Sequence, residues 1–164
     1  MQRQFAQSTV LLVLFTLLLT GCSSTKLPTA PNLLAAITTN PKLSQFAALV
    51  ETAGGLGTVL TESGKHTLFA PTNEALEAMG DKAMGDLMDP DNRTLLVNVL
   101  RGHAIPGALS PKKLSKEGSL TNEMQKSFLV SGTEDNLMVA GGKVLESIKT
   151  KNGFVHVIDK VIKN

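Results

Sequence analysis

Tryptophan and tyrosine are absent from the chain, phenylalanine occurs six times, and cysteine once. The shortage of rings leaves few platforms on which sugars or single-stranded nucleic acid could stack. A lone cysteine excludes an intrachain disulfide and a Cys-rich metal centre. An excess of one charge sign is also missing: 16 Lys+Arg against 14 Asp+Glu leave +2. That balance disfavours a nucleic-acid binder, which usually carries a basic patch or stripe. Apolar residues, by contrast, make up 42% of the 164 positions against 18% charged. The ratio supports a packed core rather than a disordered chain, and the length suits one domain with a tail.

No apolar run is long enough for a bilayer either. Val10 to Leu19 is about ten residues, where a spanning helix needs roughly 20. Arg3 precedes the run and small residues follow it, the arrangement of a secretory signal peptide. Leu19-Thr20-Gly21-Cys22 resembles the bacterial lipoprotein signal, in which the cysteine thiol receives acyl chains such as palmitate and becomes the new N-terminus. The expectation is a signal peptide over 1–21 and lipidation at Cys22, the only thiol. An ordinary signal peptide with an incidental cysteine and an uncleaved anchor helix are the competing readings. Several acyl chains would hold firmly, since each buried CH₂ contributes about 0.8 kcal/mol. By resemblance to Gram-negative lipoproteins, Ser23 after the cysteine implies outer-membrane sorting, with either face of that membrane open. Residues 22–31 lack periodicity and are expected to form a lipidated tether. Its nine residues after Cys22 reach at most about 30 Å.

From Asn32 to Asn164 there is no second linker and no internal repeat, so one domain of about 130 residues is expected. Asn40-Pro41 opens the clearest helix, with an Asn cap and Pro at the first helical position. Leu43, Phe46, Ala47, Val50 and Ala53 follow the 3.6 period, and Gly54-Gly55 ends it. A second helix starts near Asp89-Pro90, carries Leu95, Leu96, Val99 and Leu100 on one side, and stops at Gly102. Shorter helical candidates are Asn32 to Ile37, Gly57 to Leu60 and Asn73 to Met79. Met79, Met84 and Met88 read as core filler. The second half alternates: strands are expected over Phe128 to Ser131, Leu137 to Ala140 and Val144 to Ile148, separated by Asp135-Asn136 and Gly141-Gly142. Asn152-Gly153 is the strongest hairpin signal. The last strand runs from Phe154 to Ile162, with Phe154, Ile158 and Ile162 on one face and Val155, Val157 and Val161 on the other. Two apolar faces imply an inner strand covered on both sides. A helical first half and a strand-rich second half make the class α+β.

Three segments then resemble one family. Thr67-Leu68-Phe69-Ala70-Pro71-Thr72-Asn73-Glu74-Ala75 resembles the first signature block of fasciclin domains, and Asn152-Gly153-Phe154-Val155-His156-Val157-Ile158-Asp159-Lys160-Val161-Ile162 the second. Between them, Leu100-Arg101-Gly102-His103-Ala104-Ile105-Pro106-Gly107 resembles the central Leu-x-x-His…Pro-Gly segment. The resemblance covers residues 32–164 and implies a β-sandwich or wedge with helices packed around it. Phe69, Pro71, Thr72, Asn73, Asn152, Gly153, His156 and Asp159 belong to these blocks and read as scaffold: a buried strand, a Pro that ends it, a Thr cap, and a Gly for a tight hairpin. Animal members often carry a Tyr beside the central His, associated with integrin binding. Here that neighbour is Gly102, so integrin recognition is not carried over.

Catalytic constellations are not evident. No Gly-x-Ser-x-Gly elbow, His-Glu-x-x-His motif or phosphate-cradling glycine loop occurs. His156 and Asp159 sit three apart in the expected strand and face opposite ways. His103 and His156 read as packed rings fixed by a backbone hydrogen bond, and Asp159 as a turn or sheet-edge acceptor. No metal, cofactor or catalytic residue is expected, and the chain is not expected to be an enzyme. The function expected by resemblance is a lipid-anchored interaction module of the bacterial envelope, for cell adhesion or cell-surface association. Its partners would be the membrane, through Cys22, and a protein or matrix component, not nucleic acid. His103, Ile105, Pro106 and Leu109 mark the segment expected to make the contact. The alternative is a periplasmic carrier of a small apolar molecule or lipid. An enzyme would require a Ser/His pair that forms only in three dimensions.

Overall fold

The computed structural model describes residues 27–55 and 64–163. Its first helices begin where side chains can cap them. Asn32 accepts a hydrogen bond from Ala35 N at 2.7 Å and starts α1 (Leu33–Thr38). Asn40 caps a 3₁₀ turn, Pro41–Leu43, which runs into α2 (Ser44–Thr52). The glycine pair closes α2 as expected: Gly54 N bonds Glu51 O, Gly55 N bonds Val50 O, and both glycines have positive φ, the pattern of a Schellman motif. Strand β2 (His66–Pro71) and helix α3 (Asn73–Glu77) form the expected corner, with Thr72 Oγ1 accepting from Ala75 N at 3.2 Å. Helix α4 (Asp81–Met88) follows, then a 3₁₀ turn, Pro90–Asn92, and α5 (Arg93–Gly102). The chain continues through β3 (Ala104–Pro106), a short α6 (Pro111–Leu114), β4 (Ser119–Thr121), β5 (Ser127–Thr133), β6 (Asn136–Val139), β7 (Gly142–Thr150) and β8 (Gly153–Ile158).

The sheet runs β3-β2-β8-β7-β6-β5-β4. β2 and β8 are parallel neighbours, with Leu68 opposite Val155, Phe69 opposite His156 and Ala70 opposite Val157. The remaining pairs along this path are antiparallel. Just past β4, Glu123 N bonds the Ala104 carbonyl of β3 at 3.0 Å, so the two ends of the sheet path meet. Every residue of β2 and β8 is buried, which is why these strands tolerate apolar side chains on both faces. One face, with Leu68, Ala70, Val155 and Val157, packs against Leu33, Phe46, Val50 and Leu96 of the helices. The other, with Phe69 and Ile158, joins Leu120, Val130, Leu137 and Val139 of β4–β6 in a second core. Phe69 stands at its centre, edge-on to Phe128 at 6.0 Å and stacked on His156 at 5.4 Å. The class is thus α+β, a wedge with helices around it, helical first and strand-rich second.

Several expectations need correction. The last strand ends at Ile158 rather than Ile162. Asp159 turns the chain by bonding Lys143 N through Oδ1, and Ile162 N donates to His103 instead of a strand. Ile162 and Val161 still reach opposite cores. The end of the segment expected as a tether lies on the sheet: Thr29–Ala30 forms β1, parallel to Lys149 and Thr150 of β7, and Pro28 O accepts from Lys149 N. β6 covers only the first two residues of β7, which leaves the far end of that strand open to β1. On α5, Leu96 and Leu100 are buried and Val99 is half-buried, but Leu95 is 48% exposed, because the buried stripe centres on 96 and 100 and position 95 falls about 100° away. Helix α4 was not expected; Met84 and Met79 pack on the first core, whereas Met88 is exposed. The candidate helix Gly57 to Leu60 lies outside the described residues.

Two hairpins reveal different uses of glycine. Ala140 and Gly141 both have positive φ, 50° and 77°, and close the β6–β7 hairpin as a two-residue turn of type I′ geometry. In the β7–β8 hairpin, Thr150 pairs with Gly153, so Lys151-Asn152 form the loop. Gly153 has φ +146°, and a Cβ there would lie 1.6 Å from the His66 carbonyl oxygen. Its requirement is close approach of β2 as much as turn conformation. Gly153→Ala should therefore lower stability by about 3 kcal/mol or more, or prevent folding. Gly85, inside α4 with open space around it, should behave oppositely: Gly85→Ala should raise stability by about 0.5–1 kcal/mol. Urea midpoints at unchanged m-value test both. An unaffected Gly153→Ala protein would contradict the close β2–β8 approach.

Candidate functional site

The signature residues converge on a buried polar seam rather than on an open cleft. His156 is fully buried on β8, beside Ser147 of β7 in the cross-strand register. Its Nε2 lies 2.8 Å from the Leu109 carbonyl and its Nδ1 2.7 Å from Ser147 Oγ. A carbonyl only accepts, so Nε2 carries the proton and Ser147 donates to Nδ1. Leu109 is held from its other side as well: its N donates to Thr67 Oγ1 at 2.9 Å, and Thr67 Oγ1 donates to Gly107 O at 2.8 Å. The loop after β3 is thus fastened to β2 and β8 by two side chains.

His103 does comparable work at the end of α5. Its Nδ1–H donates to Val99 O at 2.8 Å, and its Nε2 accepts from Ile162 N at 3.0 Å. Its own carbonyl accepts from Phe69 N at 2.9 Å. One residue therefore ties the helix, β2 and the C-terminal segment. The third histidine, His66, brings Nε2 within 3.2 Å of Glu123 Oε1, both side chains being buried. Asn122 was missed in sequence. It is 1% exposed, donates to Gly102 O, and accepts from Met124 N and Lys126 N through Oδ1. The signal available was an Asn before a short turn, which alone does not distinguish a surface Asx turn from a buried one.

Burial pushes both His103 and His156 down from the ordinary 6.5 to about 4, opposed only in part by their backbone carbonyl partners. Both rings are neutral at physiological pH. A Ser beside a His is the geometry an enzyme would require, and it is present here in Ser147 and His156. Its setting is that of a fastening: the ring lies between Phe69 and Phe154, stacked at 5.4 and 5.9 Å. A ring that protonates only near 4 is a weak general base at neutral pH. Asp159 does not pair with His156; its Oδ1 takes the Lys143 N–H at 2.7 Å, the sheet-edge acceptor role. Among the described residues no three His, Cys, Asp or Glu side chains are grouped to hold a metal.

The segment expected to make contacts divides sharply. His103 and Ile105 are buried, Leu109 is half-buried against the second core, and Pro106 is exposed. Any surface it offers comes from Pro106 and the turn behind it. Asn73 accepts from Gln45 N and donates to Pro41 O, joining α3 to α2. Asn152 Oδ1 accepts from Leu33 N and from Thr150 Oγ1. Cys22 lies outside the described residues. No helix among the described residues is long and apolar enough to cross a membrane.

Fold and seam together define a scaffold class in which the signature residues hold a wedge-shaped sheet to its helices. The fasciclin domain profile matches residues 41–164, and the chain belongs to the fasciclin family. It is 33% identical over 122 residues to the cell surface glycolipoprotein MPB83 of Mycobacterium bovis, covering 74% of this chain and 50% of that protein. Human periostin is 33% identical over 126 residues, 74% of this chain but 14% of periostin. A protein of Synechocystis, sll1483, is 29% identical over 124 residues, 75% of this chain and 68% of its own. The chain thus spans half or less of the mycobacterial and human relatives. A FAS1 domain pair from the insect cell adhesion molecule fasciclin I shares the fold, with a TM-score of 0.69 at 17% identity over 84% of this chain and 52% of that one.

The two depressed histidines make the fold acid-sensitive. Each protonates near 4 when folded and near 6.5 when unfolded. Below about 6.5 the unfolded chain takes up protons the folded chain refuses, so stability is complete above that pH and lost as pH falls toward 4. At about 1.4 kcal/mol per pH unit the loss is on the order of 3 kcal/mol per ring. Unfolding free energy measured from about pH 7 to about pH 4.5 should fall with a slope approaching two protons; a flat profile would contradict it. Ser147→Ala leaves His156 Nδ1 without its donor and should cost about 1–3 kcal/mol, read as a lower urea midpoint.

Proposed function

We propose that the protein is a non-catalytic interaction module of the bacterial envelope, acylated at Cys22 and serving cell adhesion or cell-surface association. The observation that carries this reading is the inward use of the signature residues. His103, His156 and Thr67 are spent on hydrogen bonds between elements, which is what a passive scaffold requires and what an active site does not. Similarity to a cell surface glycolipoprotein and to a cell adhesion molecule supports it. So does the Leu19-Thr20-Gly21-Cys22 sequence close before the domain. With Thr29–Ala30 on the sheet, the free tether shortens to about six residues after Cys22, or about 20 Å. The domain would sit close to its membrane, with outer-membrane sorting implied by Ser23.

Cys22→Ser tests the anchor. The wild-type protein should fractionate with membranes and the variant should appear in the soluble fraction, unacylated by mass spectrometry. Surface labelling of intact cells, with and without added protease, reads which side the domain faces. Deleting the gene should reduce attachment or aggregation of the cells, and unchanged attachment would overturn the adhesion role.

A further inference from the structure

An apolar trough lies along α5 and the C-terminal segment, where Val99 and Ile162, the two partners of His103, form part of its lining. Met79, Leu95, Val99, Met124, Val161 and Ile162 line one stretch of about 390 Å³. A second stretch, of about 460 Å³, shares Met79 and Val161 and is walled by Ala75, Ala78 and Ala83. The two therefore adjoin across Met79 and Val161 and run between α3, α4, α5 and the C-terminal segment. Each is within the roughly 300–1,000 Å³ typical of small-molecule sites. Leu95 is the residue that the helical pattern would have buried, and it stands 48% exposed at this trough.

The lining decides what fits. Its walls are Met, Leu, Val, Ile and Ala, with Asn98 the polar exception along the first stretch and a charged edge at its end. A peptide segment laid there would bury backbone N–H and C=O groups with few partners, at a cost for each. An alkyl chain has no such groups, and flexible Met side chains adapt to its shape. The edge carries Lys160 and Lys163, with Lys163 bordering both stretches. Asp159, also on that edge, has its Oδ1 on Lys143 N. Among the described residues, no carboxylate forms an ion pair with Lys160 or Lys163.

We propose that this trough binds a free long-chain fatty acid, its chain over Met79, Leu95 and Val161 and its carboxylate at Lys160 and Lys163. The test uses the full chain with Cys22→Ser, so that no acyl group of its own competes. A fluorescent fatty-acid probe should bind saturably and be displaced by palmitate. Leu95→Glu alters an exposed position and should leave the urea midpoint nearly unchanged. It should weaken binding about tenfold or more, because a charge is set against the chain. Lys160→Glu with Lys163→Glu should also weaken binding about tenfold. The alcohol of the same chain length should compete less well than palmitate. Absence of saturable binding, or binding unchanged by Leu95→Glu, overturns the site. Equal competition by the alcohol overturns the role of the lysines.

Discussion

The structure depends on the parallel pairing of β2 with β8, both strands being buried on both faces. Nothing polar can stand on such strands unless all its hydrogen bonds are made inside the protein. His66, Thr67 and His156 are the polar side chains placed there, and each meets a partner from another element. The helices pack on one face of this pair and the small strands on the other. Loss of the pair would separate the two cores.

The interior polar groups consequently act as fasteners with fixed protonation. His156 holds the loop at Leu109, and His103 holds the C-terminal segment at Ile162. Their rings lose water on folding and stay neutral. The same condition that makes them good fasteners makes them poor proton acceptors. This explains how a Ser–His contact can occur in a domain whose relatives include a cell surface glycolipoprotein. The surfaces left for contact lie on the outside of the wedge, at the turn around Pro106 and the trough beside α5.

Much of the architecture follows from short-range chemistry. Asn32, Asn40 and Thr72 are caps because their side chains reach backbone N–H groups two or three residues on. Gly54-Gly55 ends a helix because both adopt positive φ. Local patterns failed where a long-range partner took over. The final strand stops early because His103, 59 residues away, takes the Ile162 N–H. Thr29–Ala30, without periodicity in the sequence, pairs with an open stretch of β7. Leu95 looks like core by composition, yet the helix turns it outward.

By itself, the sequence determined the α+β order, the caps, the doubly apolar last strand and the blocks that mark a fasciclin domain, since these depend on residues within a few positions of each other. Only the tertiary structure decided that Ser147 meets His156, that Asn122 plugs the end of α5, that Ile105 is interior while Pro106 is not, and that an apolar trough remains open. Those outcomes rest on strand register and on packing between distant segments. A period of 2 or 3.6 says which way a side chain points, but not what it will meet.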